Sequence, residues 1–98
     1  MPGPEAKFLV RYHPDVKAED IPALPKAVKN RIRKAIEERL TAAPHDYGQP
    51  LRRSLKGYWK LRVGDYRVVY RIKGNSVIIL GIMHREKIYE EMEKRGDG

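Results

Sequence analysis

These 98 residues should form an α+β domain: a small antiparallel sheet with helices packed on one face, in the order βααβββα. Three patterns carry that expectation. From Gly57 to Ile72 the residue types alternate strictly, as half-buried strands do. From Leu24 to Leu40 apolar residues return every four positions, as on one side of a helix. Val77 to Met83 is apolar throughout, as in a strand covered on both faces. The length suits a single domain over 1–98, with 1–6 and 96–98 as loose termini.

Lys7 to Tyr12 reads as the first strand, with Phe8, Val10 and Tyr12 sharing a side, and His13-Pro14-Asp15 ends it. Val16 to Leu24 is weakly helical, with Asp20 as a cap and Pro22 in a first turn. The second helix buries Leu24, Val28, Ile32, Ile36 and Leu40, with Ala27 and Ala35 filling the same side. Its other side, including Arg31, Arg33 and Lys34, reads as a solvated face. Pro25 suits the first turn of this helix and Pro44 lies beyond its end. Thr41 to Gln49 is a loop, and Pro50 to Gly57 leads into a hairpin.

A two-residue turn at Gly64-Asp65 sets Leu61 opposite Val68 and Arg62 opposite Arg67. Trp59, Leu61, Val63, Tyr66, Val68, Tyr70 and Ile72 then form a core wall. Lys60, Arg62, Arg67 and Arg71 stand on the reverse. Counting back through a second turn at Gly74-Asn75 puts His84 near Asp65 and Ile82 beside Arg67. Ile88 to Arg95 is a short, charged terminal helix.

The net charge is +8, and its distribution is uneven. Between Gln49 and Lys73 stand Arg52, Arg53, Lys56, Lys60, Arg62, Arg67, Arg71 and Lys73, against the single acid Asp65. Like charges opposed across strands cost stability. Cations kept together there point to an anionic ligand, phosphate above all.

In the register above, Arg62, Arg67, His84 and Arg85 converge. Guanidiniums bind the nonbridging oxygens of a phosphodiester bidentately and stabilise a pentacoordinate transition state. In RNA the 2′-hydroxyl attacks the adjacent phosphorus without a metal, given a proton acceptor and a proton donor. His84 has the unperturbed pKa for both tasks, and Tyr89 can assist by hydrogen bonding. Tyr58 shares the basic face and offers a ring for stacking. Arg52, Arg53, Lys56, Arg62 and Arg71 supply further RNA contacts. Basic hairpins also bind nucleic acid without cutting it, or dock acidic proteins. From the residues alone both binding and cleavage stay open.

Cysteine is absent and His13, His45 and His84 are scattered, so no metal or cofactor is expected. No apolar run approaches the ~20 residues of a membrane span. The first residues lack a signal-peptide pattern. A cytoplasmic protein with no membrane partner is the expectation.

Three stretches together resemble the RelE/ParE superfamily of bacterial and archaeal toxin–antitoxin toxins. They are Pro50-Leu-Arg-Arg-x-Leu-x-Gly57, then Lys60-Leu-Arg-Val-Gly-Asp-Tyr-Arg-Val-Val-Tyr-Arg-Ile72, then Ile82-x-His-Arg-x-x-Ile-Tyr89. The resemblance runs from roughly Phe8 to Arg95. It implies a compact microbial-ribonuclease-like RelE fold and a RelB-like antitoxin partner. It also implies an endoribonuclease that cleaves mRNA in the ribosomal A site, without metal, by 2′-hydroxyl attack. Arg67 falls on a catalytic arginine of RelE, Arg85 on the second functional arginine and Tyr89 on the C-terminal tyrosine. Lys60 matches a strand lysine and Arg52 an RNA-contacting position. Tyr58 and His84 stand where RelE has lysines, and the spacing from Arg85 to Tyr89 is shorter than the RelE pattern. ParE toxins, which inhibit DNA gyrase, and inactive relatives that only bind antitoxin or RNA belong to the same superfamily. The retained Arg67, Arg85 and Tyr89 favour the ribonuclease. The antitoxin is expected to be an acidic and apolar segment wrapping the helices or replacing the terminal one.

Overall fold

The computed structural model describes residues 7–95, so the termini expected to be loose, 1–6 and 96–98, lie outside the described residues. β3 (Trp59–Val63) and β4 (Tyr66–Lys73) form the hairpin in the anticipated register, with Leu61 facing Val68 and Arg62 facing Arg67. Gly64 turns the chain at φ +61°, a conformation that glycine adopts without steric cost.

β5 (Ser76–His84) runs antiparallel to β4. β1 (Leu9–Tyr12) lies parallel to the first half of β5, and β2 (Gln49–Pro50) pairs antiparallel with β3. The sheet therefore has five strands in the order β1-β5-β4-β3-β2, all neighbours antiparallel except β1 and β5. The stretch 41–49, read as a loop, holds a short helix, and β2 begins at its end. Two residues are too few to show alternation, and Pro50 is tolerated because β2 is an edge strand.

A π-helical turn (Val16–Asp20) runs into α1 (Ile21–Ala23). It stops at Leu24, which is extended ahead of Pro25. α2 (Lys26–Ala35) continues into a second π-helical turn (Ile36–Leu40), and α3 (Pro44–Tyr47) follows. Val16, Leu24, Ile32, Ile36 and Leu40 pack on Leu61, Val63, Val68, Tyr70, Val77, Ile79 and Ile82. This is the anticipated core wall under the anticipated helical stripe; Ala27 alone of that stripe is exposed.

The reverse face of the sheet is covered too. α4 (Ile88–Arg95) follows a 3₁₀ turn (Arg85–Lys87) and buries Ile88 and Met92 against Val69 and Met83, with Leu51, Leu55 and Tyr58. Helices packing on one face was the expectation; they pack on both. The reason is that β4 and β5 carry apolar side chains between the cations of that face, and these need a cover. Gly81 lets α4 come close: a Cβ there would lie 2.6 Å from Met83 Cε and 2.7 Å from Met92 Sδ.

The pairing of β4 with β5 shifts by one residue. Tyr70 faces Ile79 while Val69 faces Gly81, so Leu80 is an extra residue in β5. Ile82 consequently faces Val68, Met83 faces Arg67 and His84 faces Tyr66. This corrects the expected pairing of Ile82 with Arg67 and of His84 with Asp65. Beyond Ile79, β5 has lost its β1 neighbour, and Asp20 covers the bare edge. Its Oδ2 accepts from the Ile82 N–H at 2.9 Å. Arg95, in the last turn of α4, donates to both oxygens of Asp20 at 2.7 and 2.9 Å and to the Leu80 carbonyl at 3.1 Å.

Candidate nucleic-acid interface

The tip of the β3–β4 hairpin gathers charge. Arg62 and Arg67 are directly opposed. Arg67 is half-buried, and its Nη1 donates to the carbonyls of Gly64 and Tyr66, both at 2.9 Å. Arg85 is tied to the same turn: its N–H donates to the Asp65 carbonyl at 2.8 Å, and its Nε lies 3.8 Å from Asp65 Oδ1. Burial, first, and then the positive charges of Arg62 and Arg85 lower the pKa of Arg67, with Asp65 opposing. The three guanidiniums therefore share one field, and an incoming anion relieves their mutual repulsion.

The basic segment before the hairpin is tied to α4. Tyr89, 39% exposed, accepts from the Arg52 N–H at 3.4 Å through its hydroxyl. The Ser54 hydroxyl donates to Glu93 at 2.5 Å, and Leu51 and Leu55 pack with Ile88 and Met92. Arg52, Arg53 and Lys56 point their charge to solvent around a 3₁₀ turn (Arg53–Leu55), where Arg53 has φ +59°. A non-glycine residue in that region carries a local steric cost. Lys60, half-buried, lies across from Val69 on the same face as Arg62.

Three of the sequence-derived candidates are placed elsewhere. The extra residue in β5 turns His84 to the opposite face from Arg67. There its ring meets the Tyr66 ring edge-on at 5.8 Å, and its Nδ1 accepts from the Glu86 N–H at 3.3 Å. The expected convergence of His84 with Arg62 and Arg67 is corrected accordingly. Tyr58 is only 4% exposed, packed in the second core, so its ring offers no stacking platform for a base; this corrects its reading as an RNA contact. Arg71 lies 5.6 Å over that ring, beyond the buried Val69 and outside the tip cluster.

Sequence reasoning missed Asp65 as the anchor of Arg85, and Asp20 and Arg95 as the clamp of α4. Asp20 passed for a helix cap. The signal for the irregularity was Gly81 inside an apolar strand, a usual mark of a bulge or a close approach. Among the described residues no helix is long and apolar enough to cross a membrane.

The family model of the ParE toxin of type II toxin–antitoxin systems matches residues 7–89. Toxin RelE of Mycobacterium tuberculosis is 36% identical over 74 residues, covering 74% of this chain and 76% of that protein. Toxin RelG of the same organism is 44% identical over 52 residues, covering 51% of this chain and 60% of RelG, so the chain spans less than two thirds of that relative. Among solved structures, the RelBE2 toxin–antitoxin complex of M. tuberculosis matches with a TM-score of 0.75 and 32% identity, over 81% of this chain and 99% of that one. A double mutant of the E. coli toxin RelE in the free state shares the fold alone, with a TM-score of 0.72 and 19% identity over 91% and 97% of the two chains. With a family model spanning most of its length and a RelE relative aligned over most of both sequences, this chain belongs to the RelE/ParE superfamily of type II toxin–antitoxin toxins.

Proposed function

We propose that this toxin is an endoribonuclease that cuts mRNA in the ribosomal A site and arrests translation, held in check by a RelB-like antitoxin. The observation that carries this reading is the cluster of Arg62, Arg67 and Arg85 at one hairpin tip, electrostatically coupled and open to solvent. The RNA 2′-oxygen attacks phosphorus, the P–O5′ bond breaks, and a 2′,3′-cyclic phosphate and a 5′-hydroxyl result. The 2′-hydroxyl gives its proton to a base, and the leaving 5′-oxygen takes one up. Arg67 and Arg85 hold the nonbridging oxygens and stabilise the added negative charge. Lys60 and Tyr89 are the proton-bearing side chains offered to the step, and His84, on the other face, supports the strand end. The RelB-type partners of the M. tuberculosis RelBE2 and Methanococcus jannaschii complexes support the antitoxin.

In a translation extract the wild-type protein should cleave message within stalled ribosomes. Arg67→Ala should lower the cleavage rate at least a hundredfold, the scale of losing one preorganised charge contact. Intact transcripts with the wild-type protein reject the reading. The family model, which is that of ParE toxins, favours a second reading: inhibition of DNA gyrase on the same scaffold. A supercoiling assay separates the two, since inhibition of gyrase with undamaged mRNA supports only the second.

A further inference from the structure

We propose that the groove between α2 and the outer edge of β3 is a second phosphate-binding surface, continuous with the hairpin tip, which takes the backbone of the same RNA strand beyond the scissile step. This rests on the RNA-directed reading of the tip. β2 pairs with β3 only at Trp59 and Lys60, so Leu61–Val63 present an edge with no strand beside it. α2 lies along that edge and leaves a cavity of about 300 Å³ lined by Arg31, Lys34, Glu38, Arg39, Arg62 and Gly64. Arg31, Lys34 and Glu38 fall at i, i+3 and i+7, on one face of the helix. Four cations thus surround one acid, and no ion pair among the described residues engages any of the four.

Two contacts join this groove to the tip. A Cβ on Gly64 would lie 2.9 Å from Arg31 Nη1, so that guanidinium rests against the turn. The Gly64 carbonyl accepts from Arg67 Nη1, so one glycine has Arg31 against it and Arg67 bound to it. Arg62 lines the groove and is also one of the charges that lower the pKa of Arg67. The positive surface is therefore unbroken from Arg67 through Arg62 to Arg31 and Lys34. The apolar floor, Ala35 and Val63, is already buried under the sheet–helix contact. Protein interfaces need an apolar centre that this groove lacks; a strand with a phosphate at every residue needs only spaced cations. The α2 cations, which in sequence read as a solvated face, acquire this role because a bare strand edge stands beside them.

Two 2′-O-methyl oligoribonucleotides, a trimer and a 12-mer, test the proposal, since neither has the hydroxyl needed for cleavage. Arg31→Ala with Lys34→Ala should weaken the 12-mer roughly tenfold and flatten its salt slope by about 1.4, or about 0.7 per single-strand phosphate contact. The same pair should leave the trimer unaffected, whereas Arg67→Ala should weaken both oligonucleotides. Both α2 side chains are exposed, so the fold is spared. An unchanged 12-mer in the double variant, with Arg67→Ala still weakening the trimer, overturns the groove and spares the tip. A wild-type protein that binds neither oligonucleotide overturns the tip reading and the groove with it. Twelve-residue oligoglutamate binding more tightly than the RNA, and lost in the double variant, gives the groove to an acidic protein and overturns the proposal.

Discussion

Tyr70 carries a hydroxyl into the core and pays for it with one bond, a 2.7 Å donation to the Pro44 carbonyl. A Cβ on Gly48 would collide with that hydroxyl, so the glycine is a space requirement. Burial raises the Tyr70 pKa well above its ordinary 10.0, which has a consequence in alkali. The native ring stays neutral where the unfolded ring ionises, so its contribution to stability is complete below about pH 10 and falls as pH rises above it. Tyr70→Phe should cost about 1 kcal/mol at pH 7, for the unsatisfied Pro44 carbonyl. It should also flatten the loss of stability between pH 9.5 and 11, read by urea unfolding. Tyr12, whose pKa burial also raises, retains part of that slope. Alternation placed Tyr70 on the core wall directly. It also placed Tyr58 on the basic face and was right about the side, but a period of two tells which way a ring points and nothing about what later covers it.

At the level of elements, the hairpin and the terminal helix were legible because each has a local signal: a glycine turn between alternating runs for the first, a charged amphipathic stretch for the second. The phase of β5 was not, because a run that is apolar at every position has no polar residue to mark a slip. Nor was the clamp between Asp20 and Arg95, whose partners lie far apart in sequence and meet only because β1 leaves the edge of β5 open. Arg95 has its pKa raised, mainly by its hydrogen bonds to Asp20, and Glu91 adds to it. Removing one partner of such a buried pair leaves a charge stranded. Asp20→Ala should therefore destabilise the protein by about 3–5 kcal/mol. Hydrogen exchange should show α4 amides opening before those of β4. Uniform loss of protection across both elements would show that the pair does not act as the hold on α4.

Across the whole molecule, a net charge of +8 opposes compaction, and the opposition is concentrated at the hairpin tip. Raising the salt from about 20 to 200 mM should raise Tm by screening. Inorganic phosphate should raise it further than chloride at equal ionic strength, because binding to the native state adds to screening. Arg67→Ala should remove that excess and keep the common rise. Equal shifts in the two salts would mean that the tip holds no anion. The uneven charge was plain in sequence, but its second arm along α2 required knowing which helix lies beside which strand edge.

Leu80 has a reach beyond its own position. It is a single inserted step after which every later side chain changes sides, so the whole carboxy-terminal quarter of the chain is phased by it. Deleting that codon would remove only the unpaired residue and leave methionine opposite Arg67, whereas drawing the leucine into the ladder would put isoleucine there and bring the histidine round to the arginines' face. The bulge, rather than any substitution, thus keeps the imidazole on the face away from the guanidiniums.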